Sequence, residues 1–149
     1  MGIIVSIIGA LAGMSGMIFA FIGLNHNRMA AVTSYLEYTK VPDFIEARSV
    51  VLGLSSYDPQ TIDENRHLST QVENVINTYN MVGLLVRKRQ LPKWFLKETA
   101  AGDLIVKFYG KLEPYILYRR AKDDIETYAN QFEYLCGLLK RKKTEKPTV

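Results

Sequence analysis

Charge is missing from the first two dozen residues: no Lys, Arg, Asp or Glu occurs between Met1 and Leu24. Cysteine and histidine are almost missing from the rest, with only Cys136, His26 and His67 present. One cysteine cannot close an internal disulfide, and a domain outside the cell more often carries paired cysteines. A zinc site needs three or four ligands. Asp63 and His67, four apart, are the one pair on offer, and an exposed histidine beside an i,i+4 acid is the simpler account of them. No Walker loop, Rossmann glycine fingerprint or serine or cysteine nucleophile motif occurs. Cys136 stands among Leu135, Leu138 and Leu139, the setting of a packed thiol. No alternating strand pattern and no internal repeat is found.

What is present starts with the charge-free run. From Ile3 to Leu24 an α-helix would be roughly 33 Å long at about 1.5 Å per residue, matching the roughly 30 Å hydrocarbon core of a bilayer. The run is expected to be one transmembrane helix. A cleaved signal peptide needs a basic region before the apolar stretch and a small-residue cleavage box after it. Here Asn25-His26-Asn27-Arg28 follows and nothing basic precedes. A buried core helix of a soluble protein is a second alternative, disfavoured by the length of the run. Met1, Gly2 and Ser6 fit the myristoylation pattern, but a chain that already spans needs no lipid. Arg28 and Lys40 lie on the C-terminal side only, so the positive-inside rule puts the remainder of the chain in the cytoplasm and the N-terminus outside.

The chain of 149 residues then divides into a transmembrane helix (1–24), a juxtamembrane helical extension (25–40), a cytoplasmic helical bundle (41–139) and a basic tail (140–149). The net charge of +4 resides in the tail, in Lys140, Arg141, Lys142, Lys143 and Lys146 against Glu145; elsewhere acids and bases balance. A nucleic-acid-binding face is therefore not indicated. Lys140, Arg141, Lys142 and Lys143 are candidates for holding anionic membrane lipid.

The fold class is expected to be all-α. Residues 25–40 hold no Gly or Pro, and Ile22, Met29, Val32 and Leu36 continue a coiled-coil-like spacing. Val41-Pro42-Asp43 breaks the helix and starts another, with Phe44, Ala47, Val51 and Leu54 on one face. Gly53 to Pro59 is a turn. A long helix is predicted from about Thr61 to Arg89, burying Val72, Val75, Ile76, Tyr79, Val82, Leu85 and Val86, with Asn74, Asn77 and Asn80 on the other side. Leu91-Pro92 opens a short helix with Trp94, Phe95 and Leu96. Ala100 to Asp103 reads as a turn before a helix through Leu104, Phe108, Leu112 and Ile116, which Pro114 kinks or splits. The last helix is predicted to start at Asp123-Asp124 and to bury Ile125, Tyr128, Phe132, Leu135 and Leu139. The tyrosines fall mostly on these apolar faces and read as packing residues.

The segments Val41 to Arg48, Val75 to Leu85, Leu112 to Ile116 and Ala129 to Leu135 resemble the bacterial family catalogued as domain of unknown function 4760. The resemblance implies an N-terminal transmembrane helix ahead of a small helical domain, and it carries no activity. In the last segment Phe132 reads as a packing aromatic and Glu133 as a solvated or capping acid. The layout is also similar to the small pore proteins that accompany RNA-guided RNA nucleases in type VI-B CRISPR antiviral systems, which implies ring assembly in a bacterial inner membrane.

Two features of the chain suggest a mechanism. Gly9 and Gly13 form GxxxG, and Ala12, Gly16 and Ala20 continue the spacing, so spans are expected to pack into a homo-oligomer. Asn25, His26, Asn27 and Arg28 would then collar the inner mouth of any pore; for a lone span they are interfacial anchors. Helical nucleases of the HEPN type place Arg four to six residues before His, and neither histidine has one there. Arg66 adjoins His67, which leaves at most a degenerate HEPN-like bundle using Asp63, Arg66 and His67. The chain is expected to be a non-enzymatic oligomeric membrane protein without cofactor or metal, a pore-forming antiviral effector or a tethered scaffold for a cytoplasmic protein partner.

Overall fold

Pro42 begins helix α2 at its first turn, where its missing N–H is no loss, and Asp43 adds a favourable negative charge. A computed structural model describes Gly23 and residues 26–54 and 58–140, and a second proline, Pro59, opens a later helix in the same way. α1 covers residues 26–38. α2 runs Pro42–Gly53, α3 Pro59–Glu64, α4 Arg66–Arg87, α5 Lys93–Glu98, α6 Ala100–Asp123 and α7 Asn130–Lys140. Among the described residues there is no strand, and no helix is long and apolar enough to cross a membrane. The expected span Ile3–Leu24 lies outside the described residues except for Gly23, which is helical.

α4 is the central element, packed by α2, α3 and α7, with α6 closing the bundle against α7, α5 and α3. Its buried side chains Val72, Val75, Ile76, Tyr79, Val82 and Val86 recur at helical spacing. Tyr79 is the hub. Its ring lies 5.9 Å from Phe44 of α2, 5.5 Å from Phe108 of α6 and 5.2 Å from Phe132 of α7. Burial pushes its hydroxyl pKa well above the usual value.

Several boundaries differ from the periodicity. The predicted helix from Thr61 is two helices, because Asn65 accepts the Leu68 N–H at 3.1 Å and caps α4 afresh. Ala100 to Asp103 is the first turn of α6 and not a separate turn. It lies hard against α5: a Cβ on Gly102 would sit 2.4 Å from the Leu96 carbonyl oxygen. Pro114 does not split α6, which continues to Asp123. Asp124 ends α6 with φ 54° and does not begin α7. Ile125 is exposed in the turn that follows, and α7 starts at Asn130 after Ala129 at φ 58°.

α1 is docked onto the bundle by a face that takes in only part of the heptad-like stripe. Val32 and Tyr35 are buried, whereas Met29 and Leu36 are exposed. Tyr35 meets Phe95 edge-on at 5.9 Å, and Tyr38 packs on Phe44 at 5.3 Å while its hydroxyl accepts from Thr78 at 3.2 Å. Tyr35 and Tyr38 thus hold α1 to the bundle alongside Val32.

Candidate functional site

Two successive arginines on α6 collect most of the charged contacts of the bundle. The Arg119 guanidinium donates to Glu73 Oε1 at 2.6 Å and to the Tyr115 hydroxyl at 3.0 Å through one nitrogen, and to Asp123 Oδ2 at 2.7 Å through Nε. Asp63 Oδ1 lies 3.7 Å from the same nitrogen. The guanidinium also lies over the Tyr115 and Tyr128 rings. Tyr128 completes Glu73 by donating to Oε2 at 2.8 Å. Lys122 pairs with Asp63, which also accepts from Tyr118 at 3.4 Å. Arg120 faces the other way, donating to the Tyr128 carbonyl at 2.9 Å and to Glu133 at 2.8 Å. The cluster joins α3, α4, α6, the α6–α7 turn and α7.

Its electrostatics are those of a satisfied latch. The hydrogen bond from Lys122, more than any other influence, holds the Asp63 carboxyl below its usual range. Burial pushes the Tyr115 hydroxyl up to about 12, with the Arg119 hydrogen bond pulling it down. Burial and then the bond to Glu73 push Tyr128 higher still. A general base needs a free lone pair at a pKa near neutrality. Here Glu73 accepts on both oxygens, and Asp63 is tied to a lysine and an arginine.

The residues singled out from sequence do not converge on one site. The break at Asn65 puts Asp63 on α3 and His67 on α4, so the two do not share one helix face; His67 is exposed, as its simpler reading had it, and lies 4.0 Å from Glu46. Arg66 is exposed at the start of α4. Among the described residues no group of His, Cys, Asp and Glu is placed to hold a metal ion. Cys136 is buried, and burial pushes its thiol pKa up, as for a packed cysteine. His26, Asn27 and Arg28 are exposed at the start of α1, and Lys140 lies over the Tyr109 ring at the end of α7. Gly9, Ala12, Gly13, Gly16, Ala20, Asn25, Arg141, Lys142 and Lys143 lie outside the described residues. The sequence reading missed the Arg119 cluster, whose single local trace is the i,i+4 pair Arg119–Asp123.

Among the described residues, two further surfaces stand apart from this cluster. An apolar groove of about 610 Å³ runs between α1 and α4, lined by Ala31, Tyr35, Tyr38, Met81, Val82 and Leu85 among others. At the end of the bundle where α1 begins, Arg28 shares one cavity with Lys88 and Arg89 and a second with Arg87, Arg89, Lys93 and Trp94.

No curated protein and no solved structure matches the chain. No comparison shows the likeness to the CRISPR-associated pore proteins. A family profile does match, over residues 10–138, so that it takes in the second half of the charge-free run together with the bundle. The chain belongs to the family described as Domain of unknown function (DUF4760).

Proposed function

We propose that this chain is a membrane-anchored helical protein that self-assembles through its N-terminal span and works by presenting its bundle at the inner face of a bacterial membrane, without catalytic chemistry. The observation that carries the reading is the charge-free run Met1–Leu24, set directly before α1 and included in part in the match to the family. Small residues at Gly9, Gly13 and Gly16 would let neighbouring spans approach closely. A polar cluster whose carboxylates are all occupied supports a holding role over a reactive one.

The full chain purified in detergent is expected to run as a defined oligomer by light scattering. Gly13→Leu with Gly16→Leu is expected to reduce it to monomer while the bundle keeps its helical circular dichroism. A monomeric wild-type protein would overturn self-assembly.

A pore is the sharper form of the same proposal, with His26, Asn27 and Arg28 at its inner mouth and depolarisation of an infected cell as its output. Liposomes carrying the wild-type chain would then release a trapped dye, and the double leucine variant would leave them sealed. Sealed liposomes around an oligomeric wild type would instead favour a tethered scaffold, for which the α1–α4 groove is one apolar surface open to a protein partner.

A further inference from the structure

The basic end of the bundle is built from two acid-free stretches that meet only in the fold. No Asp or Glu occurs before Glu37, and none occurs between Glu73 and Glu98. The first stretch contributes Arg28 from α1. The second contributes Arg87 from the end of α4, Lys88 and Arg89 from the turn that follows, and Lys93 from the start of α5. The two cavities that Arg28 shares with them, of about 650 and 540 Å³, have no carboxylate in their walls. Arg87 donates to Gln131 at 3.4 Å and lies over the Tyr134 ring. Among the described residues the other four cations have no ion-pair partner, in contrast to Arg119, Arg120 and Lys122 on the far half of α6.

Three details suit this end to a lipid surface. Trp94, the single tryptophan of the chain, lies in the same cavity wall and is 54% exposed. An amphipathic ring beside cations is the usual occupant of the headgroup layer. Arg89 holds φ 59°, a left-handed backbone state that glycine adopts more readily, so the turn carries an arginine where glycine would be the less strained residue. The surface also adjoins the start of α1, next to the charge-free run.

We infer that Arg28, Arg87, Lys88, Arg89, Lys93 and Trp94 form a docking surface for anionic phospholipid headgroups, seating the bundle flat on the membrane its span enters. This rests on the anchored reading above and adds to it a second, lateral contact. The contact orients the bundle, and it loads the cytoplasmic side with positive charge beyond Arg28 and Lys40. Phosphate oxygens would take the donors of Arg28 and Arg89, and the Trp94 ring would lie at the level of the glycerol backbone.

Trp94 makes the test direct. The full chain is reconstituted into phosphatidylcholine vesicles containing either acyl-brominated phosphatidylglycerol or the same fraction of brominated phosphatidylcholine, and tryptophan quenching is read. Stronger quenching by the anionic lipid is expected. It should fade as salt rises from about 0.1 to 1 M, where the screening length falls from about 10 to 3 Å. Lys88→Gln, Arg89→Gln and Lys93→Gln together should bring it down to the zwitterionic level. Lys40→Gln, Arg66→Gln and Lys107→Gln, which remove the same charge but line neither cavity, should leave it unchanged.

Equal quenching by both lipids, or quenching that survives the triple variant, would overturn the inference. So would a larger emission change on adding a short RNA duplex than on adding the anionic lipid. Alkaline washing of the same vesicles reads the anchor separately. A chain that stays embedded without headgroup-dependent quenching defeats this surface alone. A chain that washes off yet is quenched by the anionic lipid defeats the anchor alone.

Discussion

Asn80 on α4 accepts two backbone N–H groups of α7 on one side-chain oxygen, from Gln131 at 2.9 Å and from Phe132 at 3.2 Å. The first turn of a helix has N–H groups without partners in its own backbone. α7 has them satisfied by a residue fifty positions away rather than by a local cap. Asn80→Ala is expected to destabilise the bundle by about 1–3 kcal/mol, the range for leaving buried donors unmet. Asn80→Asp, which keeps the acceptor, should stay near the wild type. Denaturant unfolding of the full chain in detergent reads both.

One turn further along α4, Gly83 lets the same two helices touch. A Cβ there would sit 2.1 Å from the Gln131 carbonyl oxygen, a backbone atom that cannot swing aside. Gly83→Ala should therefore lower stability by about 1–3 kcal/mol through overpacking. Gly110 on α6 has nothing within 4 Å of the same added atom. Gly110→Ala should raise stability by roughly 0.5–1 kcal/mol, because alanine loses less backbone freedom in a helix. Opposite signs from one chemical change, read by thermal melting, are the signature of that close approach.

Arg119 and Glu73 are each about a quarter exposed, between a surface pair and a buried one. Arg119→Met strands Glu73 beside Asp63 and Asp123. The loss should fall between the ~0–1 kcal/mol of an exposed pair and the ~3–5 kcal/mol of breaking a buried one. A double-mutant cycle with Glu73→Gln should show coupling of at least about 0.5 kcal/mol. Independent effects would mean that Arg119 acts through Asp63, Asp123 and the tyrosine rings rather than through Glu73.

Stability should fall at both ends of the pH scale, through Asp63 of this cluster at the acid end and through buried tyrosines at the alkaline end. The Asp63 pKa is lowered in the folded state, so its contribution is present above the unfolded value of about 3.9 and is lost as pH drops through the folded one. Asp63→Asn should flatten the acid limb. Tyr109 and Tyr115 are raised to about 12, so the unfolded chain loses those protons first. Stability should decline as pH rises from about 10 to about 12, with tyrosinate absorbance growing in step with unfolding.

How far the fold could be read in advance follows from the range of each interaction. The α4 core face and the Phe132–Leu135–Leu139 face of α7 are periodic, and burial repeats along them at the same spacing. Asn65 was legible in principle, since an asparagine cap is a local signal, but no Gly or Pro lies between Pro59 and Gly83 to mark a break there. The start of α7 was not legible, because its cap is Asn80 and its entry residue is Ala129 in a left-handed conformation. Asp123-Asp124 offered a stronger local cap and turned out to close the preceding helix. The two candidate surfaces show the same division. The polar cluster joins Asp63, Glu73, Arg119 and Tyr128 across four elements, and the basic end joins Arg28 to Arg89 across two. In the linear chain only the acid-free stretches and the i,i+4 pair Arg119–Asp123 are visible.

The proposal stands or falls on whether the charge-free run holds the bundle to a membrane. Alkaline extraction of membranes from cells producing the full chain tests this most directly. The account predicts that the protein remains in the pellet with integral membrane proteins. Release into the supernatant would contradict it.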